Sequence, residues 1–316
     1  MKILANDGIS VNGIATMENA GFEILTTTVA QEQLANYINE NKIDALLVRS
    51  ATKVRKELID ACPTLKLIGR GGVGMDNIDV SYAKSKNIHV INTPAASSES
   101  VAELVFAHLF GGVRFLYDAN RNMPLEGDSN FKELKKSYSK GTELRGKTLG
   151  VFGFGNIGRA TAKLALGAGM NVIYYDPDVA NATIELTFFD GQKVTFSLKN
   201  TEKSKLLKNA DFISLHIPDQ QSYVIGKEEF LLMKKGVGIV NAARGGVIDE
   251  VALVEALENG TVSFAGLDVY ESEPKPEIKI LMHPNISLSP HIGAATLEAQ
   301  ERIGLELAGQ IITLLK

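Results

Sequence analysis

Short apolar runs rich in β-branched residues alternate with amphipathic stretches along almost all of the 316-residue chain, and that alternation restricts its fold more than any other feature. In the first part the runs are MKILAN, FEILTTT, DALLVRS, LKLIGRGG and IHVINTP, separated by patterns such as QEQLANYINE and RKELIDAC. A helix between two strands returns the chain to the same end of a sheet, so strands joined this way pair in parallel. A second series begins after KGTELRG: KTLGVFGFG, MNVIYYD, DFISLHIP, GVGIVNAAR, FAGLDV and NISLSP. Two such series, in a chain longer than one core usually fills, predict an α/β protein of two doubly wound parallel-sheet domains.

Three segments need separate treatment. SSESVAELVFAHLFGGVRF opens on serines, has a glutamate in its first turn and reads as a helix; the stretch after it carries few strand signals. ATIELTFFDGQKVTFSL alternates apolar and polar residues on both sides of Asp190-Gly191 and predicts a β-hairpin. The final segment places Leu297, Ile303, Leu307 and Ile311 near helical spacing, so the chain ends on a helix that must dock.

Composition sets limits on partners. Apolar residues make up 45% and charged residues 22%, the profile of a folded globular chain. A net charge of -4 gives no electrostatic basis for binding nucleic acid or an anionic membrane, so an anionic ligand must be held by a few placed cations. The single cysteine, Cys62, cannot form an internal disulfide and reads as buried packing, which fits a reducing compartment. No stretch reaches the length of a membrane span and MKILANDGIS lacks the features of a secretion signal, so a cytoplasmic location is expected. No metal is expected.

VFGFGNIGRATAKLALGAGMNVIYYD carries the clearest chemistry. Gly153, Gly155 and Gly158 fall in GxGxxG spacing between a strand and a helix, and Asp176 ends the next strand. The glycines let backbone amides, including those of Asn156 and Ile157, approach a pyrophosphate at a helix N-terminus. The Asp176 carboxylate suits a ribose diol and would repel a 2′-phosphate, which favours NAD over NADP.

Further along, Arg244 directly follows an apolar strand, at the end of a parallel sheet where ligands bind. Pairing with Asp249 or Glu250 in its own loop is the competing explanation. FAGLDVYESEP places Asp268 and Glu273 beyond another strand, and LSPHIGAAT places His291 between a proline and a glycine. His89 and His108 lie within apolar runs and read as packed, while His283 falls in a loop and His216 ends a strand. NTPAASSES and SPHIGAAT look like two crossings between domains, which favours a proton carrier at His291. Arg49, Ser50 and Arg70 follow strands, and the backbone from Gly71 to Gly74 could present N–H groups to a carboxylate.

Taken in order, LLVRSATKV, GRGGVGMDNIDV, NTPAASSESVAEL, the glycine loop, NAARGGVIDE, GLDVYESEP and PHIGAATLEAQ resemble the D-isomer-specific 2-hydroxyacid dehydrogenases, and within them the branch acting on 3-phosphoglycerate at the entry to serine synthesis. The resemblance implies a flavodoxin-like substrate domain from residues 1–93 and 292–316, and a Rossmann NAD-binding domain from 94–291 whose first helix forms a homodimer. It implies Arg244, Glu273 and His291 as the catalytic set. His216, Ile217, Pro218, Ala242 and Asp268 would line the cofactor; Arg49, Ser50, Arg70, Val73, Gly74, Ser97 and Lys135 would bind the substrate. Ser97 stands where many members have asparagine, and Gln221 stands near the place of a usual threonine. The chain ends with its terminal helix, so the regulatory domain of longer relatives, and feedback through it, are expected to be absent. Two other readings remain open: a hydroxypyruvate or glyoxylate reductase, which would tolerate neutral residues at 49 and 70, and an NADH-sensing corepressor-like binding protein with negligible turnover.

Overall fold

Five short strands open the chain: β1 (Lys2–Ala5), β2 (Glu23–Leu25), β3 (Ala45–Val48), β4 (Leu67–Arg70) and β5 (His89–Asn92). They pair in parallel in the order β2-β1-β3-β4-β5, the flavodoxin-like order, whose direction reverses between β1 and β3. β3 is buried along its whole length, as a parallel strand covered on both faces must be. Its residues alternate between two cores. Leu46 and Val48 pack with Leu34, Ile38, Leu58 and Ala83, from α2 (Leu34–Asn41), α3 (Lys56–Ala61) and α4 (Val80–Ser85). Ala45 and Leu47 face the side covered by α1 (Val11–Asn19), through Met17. His89 corrects the sequence reading: it is exposed, because it starts a strand at the edge of the sheet.

The structure, a computed structural model, describes residues 1–316 and divides them into two units, 1–100 with 294–316 and 101–293. The first division falls inside α5 (Ser98–Val113), beyond the residue 93 suggested by NTPAASSES. α6 (Leu116–Glu126) and α7 (Phe131–Ser137) follow in the second unit, in the stretch that carries few strand signals.

The second unit then builds β6 (Thr148–Phe152), α8 (Asn156–Gly167) and β7 (Asn171–Tyr175), followed by the hairpin β8 (Asn181–Thr187) and β9 (Lys193–Lys199). After α9 (Lys203–Asn209) come β10 (Phe212–Leu215), α10 (Lys227–Leu232), β11 (Val237–Asn241), α11 (Glu250–Glu258), β12 (Val262–Leu267), α12 (Ile278–Leu281) and β13 (Ile286–Leu288). The six-stranded parallel sheet runs β13-β12-β11-β10-β6-β7, so the chain moves outward from β6 to β7 and then returns to the other side of β6. Such a reversal is where doubly wound folds bind ligands, at the carboxyl ends of the strands.

The hairpin forms a separate antiparallel sheet joined to β7 by a single bridge, Tyr174 to Asn200. Ala182 and Ile184 of β8 are buried with Ala162 and Ala165 of α8, so the hairpin covers that helix. Its tip is longer than a two-residue Asp-Gly turn. Phe188 N–H donates to Gln192 O, Gly191 N–H donates back to Phe188 O, and Gly191 sits at φ +83°. A left-handed residue closing a three-residue loop is a role glycine fills without steric cost.

α13 (Leu297–Leu315) ends the chain and buries Ile303, Leu307, Ala308 and Ile311 against Ile3, Leu47 and Leu67 of the first sheet. Leu297, expected in that stripe, is 87% exposed because it begins the helix. No single helix in the chain is long and apolar enough to cross a membrane.

Candidate active site

β6 delivers the chain into the glycine loop. Gly153 has φ +83°, and a Cβ on Gly158 would collide with the Gly153 carbonyl, so strand, turn and helix can close only without side chains there. Gly155 caps α8 without a side chain, and a Cβ on it would meet nothing within 4 Å, so the outer side of the loop is open. Asp176 follows β7 directly. Its Oδ2 accepts from Phe154 N–H at 2.6 Å and its Oδ1 from Asp178 N–H at 2.9 Å. Asn200 holds the Asp176 backbone in both directions, a contact invisible in the motif. His216, Ile217 and Pro218 follow β10, beside the loop: a Cβ on Gly153 would touch the His216 backbone and the Ile217 side chain. The His216 ring turns inward; Nε2 lies 2.8 Å from Ser214 Oγ, and Nδ1 is buried without a partner.

Arg244 follows β11 in a loop ordered by Asn241, whose Oδ1 accepts from Ala243 N–H and whose Nδ2 donates to Arg244 O. The loop carboxylates bind backbone amides. Asp249 caps α11 by accepting from Val251 and Ala252 N–H, and Glu250 and Glu271 each accept the other's backbone N–H. Glu273 lies 2.9 Å from His291, Oε2 to Nδ1, and its Oε1 accepts from Tyr270 N–H. Burial would raise the Glu273 carboxyl, but His291, the Tyr270 amide and the Arg244 charge outweigh it and hold the carboxyl below its ordinary range. With Nδ1 turned to a carboxylate, Nε2 is the ring nitrogen available for proton exchange.

His291 has φ +55°, a left-handed conformation that costs a non-glycine residue about 1–2 kcal/mol. Asp268 stabilises it. Its buried carboxylate accepts from Ile292 N–H and Gly293 N–H, both at 2.8 Å, and from the Ser289 hydroxyl at 2.6 Å. The resemblance implies that Asp268 lines the cofactor; nothing in GLDVYESEP shows this clamp. Nor does the sequence show Ser289 in this role or the polar partners of His108, a residue that is packed as expected.

Two of the cations expected to bind substrate, Arg49 and Arg70, lie on the first unit. Arg49 follows β3 and Arg70 ends β4, both partly exposed, with Ser50 and Val73 exposed and Gly74 partly so. One side chain serves both arginine segments: Asn77 Oδ1 accepts from Arg70 Nε at 3.2 Å, and Asn77 Nδ2 donates to Arg49 O at 2.7 Å. Asp7, after β1, accepts from Arg49 N–H at 2.6 Å. Ser97 is 1% exposed, whereas Lys135 on α7 of the second unit is exposed. Ala242 is partly exposed beside Arg244.

A family model described as the D-isomer specific 2-hydroxyacid dehydrogenase NAD binding domain matches residues 106–293. The chain belongs to this family. The dehydrogenase is 43% identical to the hydroxypyruvate reductase of Thermotoga maritima, over 93% of this chain and 92% of that protein. It is 41% identical to D-3-phosphoglycerate dehydrogenase of Methanocaldococcus jannaschii over all of this chain, but spans only 58% of that protein's length. Among solved structures, an NAD+-bound 3-phosphoglycerate dehydrogenase of Entamoeba histolytica superposes with TM-score 0.77 at 28% identity, covering all of this chain and 95% of that one.

The second unit is therefore the NAD-binding domain of an NAD-dependent 2-hydroxyacid dehydrogenase. Its residues fit that cofactor. The open loop side at Gly155, the start of α8 with no side-chain cap and the carboxylate of Asp176 are the features a dinucleotide would engage.

Proposed function

We propose that this dehydrogenase interconverts 3-phosphoglycerate and 3-phosphohydroxypyruvate with NAD, the first step of serine synthesis. The observation carrying this reading is that Arg49, just after β3, and Arg70, at the end of the adjacent β4, put two cations at the same end of the first sheet, where Asn77 holds the Arg70 Nε and the Arg49 backbone carbonyl. An unphosphorylated acid gives such a pair of cations no dianion to hold. The 41% identity to D-3-phosphoglycerate dehydrogenase adds support.

In the reductive direction the Arg244 guanidinium clamps the substrate carboxylate and polarises the ketone. His291 Nε2 donates the proton that the C2 oxygen takes up, and Glu273, on the other ring nitrogen, stabilises the charged imidazole before transfer. When bound, NAD supplies the hydride couple at C2. In oxidation, neutral His291 accepts the hydroxyl proton. Gly153, Gly155, Asn156, Ile157, Gly158 and Asp176 would hold the pyrophosphate and ribose, and Ala242 would line the same site.

A second reading, reduction of hydroxypyruvate, is favoured by the Thermotoga maritima relative, which this chain matches over 92% of its length. NADH oxidation with 3-phosphohydroxypyruvate, hydroxypyruvate and glyoxylate separates the two, with His291→Gln as a blank. The phosphorylated acid is expected to win by about 100-fold in kcat/KM, and Arg49→Gln or Arg70→Gln to raise its KM about tenfold. Equal rates on the unphosphorylated acids, indifferent to both arginine variants, would assign the enzyme to hydroxypyruvate instead.

A homodimer is part of the same proposal. Phe110, Leu116, Met123, Leu125 and Phe131, on α5, α6 and α7, are all exposed, and a second copy would cover them.

A further inference from the structure

His108 is a buried histidine that the chemistry above does not use. It projects from α5 between two serines of the β13 segment: Nδ1 lies 2.8 Å from Ser287 Oγ and Nε2 lies 3.0 Å from Ser289 Oγ. Beneath it, Gly266 of β12 leaves no room for a side chain, since a Cβ there would come within 2.6 Å of the His108 Cβ. The ring is thus fixed by packing as well as by polar contacts.

The hydrogen bonds can be read in one direction. The Asp268 carboxylate accepts from the Ser289 hydroxyl and from the amides of Ile292 and Gly293. Because the Ser289 proton points to Asp268, the Ser289 oxygen must accept from His108, so Nε2 carries the ring hydrogen. Nδ1 then accepts from Ser287. Burial, partly opposed by the Asp268 charge, lowers the His108 pKa and keeps the ring neutral in this tautomer. The chain runs Ser287, His108, Ser289, Asp268 and ends on the two amides that follow His291.

We propose that His108 is a positioning residue for catalysis: through Ser289 and Asp268 it fixes the Ile292–Gly293 backbone and so the left-handed turn that presents His291 to its substrate. The proposal rests on His291 being the proton carrier. The Ser289 backbone is held separately, by the Tyr270 hydroxyl donating to Ser289 O at 2.8 Å and by Ser289 N–H donating to Leu267 O. Removal of the Ser289 hydroxyl therefore reports on the relay and not on the path of the chain.

The test measures kcat and KM for NADH in the purified full chain, using whichever keto acid it turns over best. His108→Leu and Ser289→Ala are each expected to lower kcat about tenfold with KM for NADH unchanged, and the double variant is expected to be no worse than either single one. His108→Gln, whose amide can donate to Ser289, is expected to restore most of the rate. Should His108→Leu fail to fold, a slow Ser289→Ala beside a nearly normal His108→Gln makes the same case. Losses that multiply in the double variant, or a His108→Gln enzyme as slow as Ser289→Ala, would overturn the relay. His291→Gln separates the two levels. If it keeps wild-type kcat, the proton-carrier reading and the relay fall together; if it is inactive while His108→Leu is unimpaired, only the relay falls.

Discussion

The His216 imidazole sits inside the second unit, with Nδ1 lacking any partner, and burial pushes its pKa down from 6.5 to about 3. The unfolded chain binds a proton on this residue as pH falls below 6.5, whereas the folded chain does not until about pH 3. Stability on this account is unaffected above pH 6.5 and declines below it, by about 1.4 kcal/mol per pH unit once protonation of the unfolded state is complete. His108 and His283 are lowered by burial too and act with the same sign. Urea midpoints measured from pH 7 to pH 5 should therefore fall, and fall less steeply in His216→Gln; equal slopes would show that the ring is not held neutral. At this scale the sequence shows the groups proposed to do chemistry and hides those that hold them. Gly153, Asp176, Arg244, Glu273 and His291 are legible because each follows a strand in a local motif. Ser289 and His108 are not, because the contacts that define them span up to 181 residues of sequence. Asn77 lies within GRGGVGMDNIDV, yet nothing in that string shows that one amide serves the segments of both arginines.

Among the elements, the β8–β9 hairpin tests how far a local pattern reaches. Alternation and Asp190-Gly191 identify the hairpin, but loop length depends on backbone angles that the letters do not carry. Gly191 closes the loop at φ +83° with open space around the position of a Cβ, so the cost of a side chain there is conformational and not steric crowding by neighbours. Gly191→Ala should cost about 1 kcal/mol and lower the melting midpoint by about 2–4 °C, with kcat unchanged. Gly191→Asn should recover part of this, because asparagine tolerates the left-handed region. A melting curve for Gly191→Ala superimposable on the wild type would mean that the loop readily adopts another turn. α6 carries no such pattern: none of its residues is fully buried, and what holds it within the chain is polar, with Asn122 Nδ2 donating to the Tyr138 hydroxyl and that hydroxyl donating to Asp118.

At the scale of the whole molecule, the two strand series and their parallel pairing follow from the order of apolar runs, while self-association has to be argued from what the folded chain leaves uncovered. Single exposed apolar residues are ordinary on a protein surface. α6 is a different case, because an 11-residue helix with no buried residue is marginal in water unless something packs against it. Leu116 and Leu125 on that helix are 63% and 80% exposed, and Phe110 before it and Phe131 after it are more than half exposed. A second copy burying these side chains would add to the hold that Tyr138 has on α6 through Asn122 and Asp118, and closed two-fold pairing is the commonest way for one surface to cover its own equivalent. Light scattering on the eluting protein should then give twice 34.1 kDa at micromolar concentration. Leu125→Lys combined with Phe131→Lys should halve that mass and reduce helical circular dichroism by about the content of one short helix, since each copy would lose the partner that helps to order α6. A wild-type mass of one chain, with full helicity, would show that α6 stands without a second copy and would remove the dimer from the proposed function.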